Sequence, residues 1–416
     1  MATNFLINGR EFSDNFIPSQ RFSQGGLWAW GRGMVGMGGG GYNDNRHFLP
    51  TKIWNPNDGG LTGYGLNWKE VSSAYDHYSS DYWTSAGIKT DGSLWTTGYS
   101  WYGETAQGTV AAAPFYYPAS SFFVQVGSDK NWSRISGGVA AFAAIKTDGT
   151  LWTWGWNATY GQLGDGTTTN RSSPVQVANG GTNWKQVSLS KGNTGNRFMM
   201  AVKTDGTLWG WGANWGQQLG NGTGTNVSTP TQIGSGTTWK LVSCGFYNSC
   251  GVKTDGTLWI WGNYSALLGD GSAFAGKSTP VQMAGNNWKL VAAGHYAHTA
   301  IKNDGTLWSC GYNYYGNIGD GTTNNTLYWT QEITGSQWKT VKITPYHTMA
   351  IKTDGTLWGW GENNTNGRGS LGLGGGAGDA LPFTPHYTPT QVSGGGTNWK
   401  DITLNSQYGI GVRDDF

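Results

Sequence analysis

The sequence predicts an all-β fold, a seven-bladed β-propeller of four-stranded antiparallel blades, one of which is closed by strands from the N- and C-termini. Three observations lead there. A Leu-Trp pair recurs seven times, with its Trp at 28, 95, 152, 209, 259, 308 and 358. A second anchor, usually Asn-Trp-Lys, follows each pair, at Trp68, Trp132, Trp184, Trp239, Trp288, Trp338 and Trp399. The last residues of the chain then repeat only half of a unit, and the missing half stands near its start. Self-similarity at a fixed period is the mark of a repeat architecture, whose units stack to bury a shared core.

Within a unit, the phrase AAIKTDGTLWTWG (143–155) sets Asp148-Gly149 between two runs rich in Ile, Leu, Thr and Trp, the sequence signal of a two-residue hairpin turn. LWTWG places bulky groups on both faces of its strand, so that strand must be covered on both sides. The Pro-containing runs, clearest in SSPVQV (172–177), STPTQI (228–233) and STPVQM (278–283), supply a further strand, and the Trp-Lys anchor opens another. Four short strands per unit, seven units, and mutual coverage define the propeller. At the end of the chain GIGVRDDF puts Val412 where Ile351 stands in an earlier unit and stops before any Leu-Trp; QGGLWAWG (24–31) supplies it. Closing one blade from both termini removes the open sheet edges. The ring is therefore assigned to residues 25–416 and an N-terminal arm to residues 1–24.

Composition agrees and excludes much else. There are 70 Gly and 25 Trp among 416 residues, and only 12% of residues are charged, which suits many turns and many aromatic plugs. A net charge of +2 gives no field for nucleic acid or an anionic membrane, and no window of about 18 apolar residues occurs, so neither nucleic acid binding nor membrane insertion is expected. MATNFLINGREFSDNF lacks the basic and apolar regions of a signal peptide. Cys244, Cys250 and Cys310 form no disulfide framework or CxxC pair and read as small buried apolar residues.

The run WGWNATYGQLGDGTTTNRSSPVQV (154–177) resembles the repeat of the regulator of chromosome condensation family, and similar phrases stand at 211–223 and 310–322. A Gly followed four residues on by His, a second hallmark, is met by Gly294 and His298; His347 lacks the Gly, and Phe142 and Asn248 replace the His elsewhere. The resemblance covers about residues 25–416. It implies the propeller fold and recognition of proteins through loops on a rigid ring; the member expected is of bacterial or phage type. Neither the wedge insertion nor the basic tail of the family's Ran exchange factor is present, and likeness of fold sets no activity by itself.

No enzyme is expected. His295 and His298 are spaced by three on a turn and strand start, unsuited to a metal, and the recurrent Asp of Asp-Gly-Thr is explained by its turn. The GDGT turns at Asp165 and Asp320 lack the nine-residue period of calcium repeats, and no nucleophile elbow, phosphate loop or His-Glu-x-x-His is found. No metal and no cofactor is expected.

Function in a repeat protein is expected where units differ. From the Leu-Trp Trp to the Gln of the Pro strand is 23 or 24 residues in four units, but 30 from Trp95 to Gln125 and 33 from Trp358 to Gln391. From anchor to next Leu-Trp Trp is 20 in most units, but 27 from Trp68 to Trp95 and 25 from Trp184 to Trp209. Long loops result at about 73–86, 103–123, 190–198 and 362–388, all on one face because strand direction alternates; a fifth insertion, 54–65, falls on the other. These loops carry the candidate binding residues Tyr75, Tyr78, Tyr82, Trp83, Phe115, Tyr116, Tyr117, Arg197, Arg368, Phe383, His386 and Tyr387. Packing of these aromatics on each other to close the loops is the competing reading. The arm offers Phe5, Ile7, Phe12, Phe16 and Ile17 for docking. The expectation is a non-enzymatic binding or structural protein that meets a protein or cell-surface ligand through the long-loop face. A phage virion component docked by its arm is its sharpest form, located in a virion or outside a cell. The alternatives are a soluble, cytoplasmic or secreted inhibitor or scaffold, and a lectin or enzyme using the central funnel.

Overall fold

The computed structural model describes residues 5–7, 10–12, 24–33, 45–53, 67–75, 83–108, 120–191, 196–263, 268–272, 276–363, 369–374, 385–392, 394, 396–406 and 408–415. Seven four-stranded antiparallel sheets form the ring. Their innermost strands are Trp68–Tyr75 (blade I), Trp132–Gly137 (II), Trp184–Leu189 (III), Trp239–Cys244 (IV), Trp288–Ala293 (V), Trp338–Ile343 (VI) and Trp399–Leu404 (VII), each in contact with the next and the last with the first. In blade III the chain continues through Phe198–Lys203 and Leu208–Gly212 to the outer strand Val227–Gln232. Every inner strand thus opens on an anchor Trp, followed by Lys in all but blade II, where Ser133 stands, and the third strands of blades I to VI open on Leu-Trp.

Blade VII is the closure. Its second strand is Tyr408–Asp415, its third is Gln24–Gly33 and its outer strand is Asn45–Lys52; Gln24 pairs with Asp415, Leu27 with Val412 and Gly31 with Tyr408. The hairpin Phe5–Ile7 with Arg10–Phe12 forms a separate two-stranded sheet.

No single core exists. Each hydrophobic cluster lies between two blades, as where Ile145, Leu151 and Leu163 of blade II meet Trp184, Val187 and Trp211 of blade III. A repeated bulge makes this possible: the register with the second strand shifts between Trp184 and Gln186, and likewise after the other six anchors. The extra residue puts the anchor Trp and the residue three further on (Val187) toward the neighbouring blade, while the residues two and four further on (Gln186, Ser188) line the axis.

The repeated Lys-Thr-Asp-Gly-Thr-Leu-Trp phrase is architecture throughout. The Asp205 carboxylate accepts from the Thr207 N–H at 3.0 Å and its hydroxyl at 2.7 Å, which holds its pKa below the usual carboxylate range. The Thr207 oxygen accepts from the Trp209 indole at 2.7 Å, and the Lys203 ammonium sits 4.1 Å from the Trp209 ring centre and 4.5 Å from that of Trp184. The cation–π clamp recurs in every blade, with Arg413 in place of Lys in blade VII.

Candidate functional site

Two sites emerge from this frame, an aromatic crown on the long-loop face and the polar channel along the axis. The crown is built from the turns that leave inner strands and the turns that leave third strands, which open on the same face. Tyr102 of blade I stacks on Trp156 of blade II at 4.4 Å, and the Arg197 guanidinium of blade III lies 3.4 Å from the Trp156 ring centre. Tyr160 of blade II meets Trp215 of blade III edge-on at 5.3 Å. Phe246 of blade IV packs at 3.9 Å on His295 of blade V, Tyr296 lies 5.4 Å from Tyr312, and Tyr315 of blade V lies 5.3 Å from Tyr346 of blade VI. Most of these rings brace one another, but Trp215 is 57% exposed and Tyr314 76%.

Of the residues singled out by sequence, Arg197 is buried within the crown, and Tyr387 is 41% exposed at the rim with its ring over Gly316 of blade V. His386 opens the outer strand of blade VI, half-buried, with its Nδ1 at 3.1 Å from the Thr390 hydroxyl; burial lowers its pKa. Tyr75 ends the inner strand of blade I and pairs through its backbone with Trp83. Tyr78, Tyr82, Phe115, Tyr116, Tyr117, Arg368, Phe383, Phe16 and Ile17 lie outside the described residues; Phe5, Ile7 and Phe12 are placed by backbone alone, in the hairpin. The sequence reading missed Trp215, Tyr314 and Tyr296 because their loops are of ordinary length. The usable signal was register, since Tyr160, Trp215 and Tyr315 all stand directly before the Gly of the Gly-Gln-Leu-Gly-like phrase.

The channel is a cavity of about 410 Å³ lined by all seven inner strands. Its wall is sewn together by side chains reaching from one inner strand to the backbone of the next. Gln186 accepts from the Val242 N–H at 3.0 Å and donates to the Val242 carbonyl at 2.8 Å; the Ser188 hydroxyl accepts from Cys244 N–H at 3.0 Å. Asp401 accepts from Val71 N–H at 3.4 Å across the closing seam, and Glu70 accepts likewise from Ile135. Burial, reinforced by Asp401, raises the pKa of Glu70 to about 7 against the pull of Arg134 and Lys342. Asp401 is also raised, by burial first. Lys191, at the loop-face end, is lowered to about 7 by burial and by Lys342.

The buried imidazoles are structural. Burial lowers His298 to about 4 and His347 to about 3, so both are neutral; His347 Nδ1 is 3.2 Å from the Thr344 hydroxyl. Among the described residues no three His, Cys, Asp or Glu gather as a metal site, and no helix is long and apolar enough to cross a membrane.

Residues 148–195 and 205–252 match the regulator of chromosome condensation (RCC1) repeat, and residues 338–368 match a second form of it. Segments of blades II to IV and of blade VI thus carry the RCC1 repeat within a seven-bladed propeller. It is 28% identical over 207 residues to the ultraviolet-B receptor UVR8 of Arabidopsis thaliana, covering 50% of this chain and 41% of that protein. It is 27% identical over 210 residues to the human E3 ubiquitin-protein ligase HERC2, covering 45% of this chain but 4% of the ligase. The chain thus spans less than half the length of these relatives. Among solved structures, Prp20p of Saccharomyces cerevisiae superposes with a TM-score of 0.75 at 16% identity, over 95% of this chain and 92% of that one. Human WBSCR16 does so with 0.73 at 17% identity, over 94% and 99%. At these identities the two structures speak for the fold.

Proposed function

We propose that the chain is a non-enzymatic recognition module that receives a protein partner on the aromatic crown. The observation that carries the reading is the coexistence there of braced rings and exposed ones. Tyr102, Trp156 and Arg197 make a rigid platform across blades I to III, and on the same face Trp215 of blade III and Tyr314 of blade V are exposed, as are the Trp and Tyr anchors that dominate protein interfaces. Repeats of this type are described in a receptor and a ligase, and Prp20p is described with its binding to Gsp1p and histones. Those partners belong to those proteins; the shared element is display of loops on a rigid ring.

In its narrower form, the chain is a particle component, phage-borne in the sharpest version, whose arm attaches it and whose crown meets a protein or cell-surface ligand. Polarity supports this form: Gln24 and Asp415 pair at the hairpin end of blade VII, so the strand that follows the arm in sequence begins on the face opposite the crown.

A photo-crosslinker at position 314, compared with one at Ile333 on the opposite face, tests the first reading. An adduct from 314 alone, weakened at least tenfold by Trp215→Ala, is expected; equal adducts from both positions refute it. Light scattering on the full chain and on one beginning at Ser23 tests the second. Assembly that needs residues 1–22 supports an attaching arm, and monomers in both cases remove it.

A further inference from the structure

The level of the channel four residues beyond each Trp anchor carries Ser72, Ser136, Ser188 and Ser243 on four consecutive blades and Lys342 on blade VI. The oxygens of Ser72, Ser188 and Ser243 each accept a backbone N–H of the following blade, from Gly137 at 2.7 Å, Cys244 at 3.0 Å and Ala293 at 3.0 Å. A hydroxyl that accepts keeps its own proton to donate, and among the described residues none of the three has an acceptor. All three serines line the cavity. Lys342 lines the same level, Lys191 lines the cavity toward the loop face, and neither ammonium has an ion-pair partner among the described residues. This level of the channel is therefore furnished with hydroxyl donors and positive charge, and the side-chain acceptors on it are hydroxyl oxygens, that of Thr403 among them. The carboxyls of Glu70 and Asp401 lie two residues along the strand, about 7 Å closer to the hairpin face, and are turned to the backbone N–H groups of Ile135 and Val71.

We propose that this level of the central channel binds an oxyanion, a phosphate, sulfate or carboxylate group, between Lys342, Lys191 and the serine hydroxyls. The cavity, at about 410 Å³, accepts such a group alone or on a body the size of a monosaccharide. The site is separate from the aromatic rings of the crown; Lys342 and the serines come from inner strands, and Lys191 from the start of the 190–198 loop.

The electrostatics give the proposal a second handle. Lys191 is held near neutrality by burial and by Lys342, with Cys244 beside it, Glu70 and Asp401 below, and Arg134, Lys185 and Lys240 around the same wall. A bound anion restores its proton, so binding takes up a proton and strengthens as pH falls. Glu70 acts in the same direction, because it gains negative charge as pH rises through about 7.

Sulfate is the probe, because its own charge is constant from mildly acid to mildly alkaline pH. Calorimetric titration of the full chain is expected to show sulfate binding whose affinity falls toward tenfold per pH unit above 7. Lys342→Met weakens it at least tenfold, Lys191→Met weakens it and flattens the pH profile, and Glu70→Gln strengthens it, a gain that a misfolded variant cannot mimic. Ribose 5-phosphate separates the sources: tighter binding than sulfate marks an organic phosphate, and equal binding marks the free ion. No sulfate binding by the native chain, or binding that survives both lysine substitutions with its pH profile unchanged, overturns the proposal.

Discussion

Replacing Glu70 by Gln stabilises the protein above neutral pH and changes little in acid. The unfolded chain releases the Glu70 proton near 4.5, whereas the folded chain holds it to about 7, burial being the first cause and the Asp401 charge the second. Between those two values the folded state progressively loses stability relative to the unfolded one, and above about 7 the whole loss is felt. At 1.36 kcal/mol per unit the ceiling is about 3.4 kcal/mol, and partial solvation of the channel reduces it to about 1–2 kcal/mol. Gln suits the position because blade III already has it there: Gln186 accepts from Val242 N–H and donates to the Val242 carbonyl, and Gln at 70 can treat Ile135 in the same way. Urea unfolding of both proteins at pH 5 and pH 8 is the assay. A gain of at least about 1 kcal/mol at pH 8 and under about 0.5 kcal/mol at pH 5 is expected from this linkage. Equal differences at both pH values, or destabilisation at pH 8, refute the argument.

Trp360→Phe removes the indole that donates to the Asn317 carbonyl of blade V at 3.0 Å and leaves that buried oxygen only the Thr348 hydroxyl, at 2.8 Å; a loss of about 1 kcal/mol in urea titration is expected. Gly149 has φ of 79°, and a Cβ there would overlap the Thr182 carbonyl, whereas Gly285, at φ of 83°, faces open space. Gly149→Ala is therefore expected to cost more than about 2 kcal/mol and Gly285→Ala about 1, and the reverse order in unfolding midpoints counts against the packing. Cys244, Cys250 and Cys310 are fully buried and burial raises all three thiols, Cys244 to about 12. None reacts with a thiol reagent until denaturant is added, and a labelled thiol under native conditions contradicts this.

The fold was legible because its determinants are local and repeated. Each Trp-Lys anchor opens an inner strand, each Leu-Trp opens or enters a third strand, and the pairing of Leu27 with Val412 was readable from the half-unit at the end of the chain. The sites were less legible because they depend on radial position, which no single unit states. Loop length drew attention to Tyr116 and Phe383 and away from Trp215, whose loop is ordinary. Glu70, Lys342 and Asp401 drew no attention in the sequence, and the bulge after each anchor turns them to the axis. Aligning the units on the anchor Trp would have exposed, two places on, the row Glu70, Arg134, Gln186, Leu241, Leu290, Thr340 and Asp401, and Lys342 among the serines four places on.

The seam in blade VII also decides how the molecule bears load. Gln24 and Asp415 are partners at the same end of an antiparallel pair. Tension applied between the two ends of the chain therefore opens that pair from its edge inward, one rung at a time, the mode in which hydrogen bonds resist least because they never share the force. Tension on one end alone, with the opposite face holding a partner, passes through the ring and leaves those rungs unloaded. A propeller closed in this way tolerates being tethered and resists poorly being stretched.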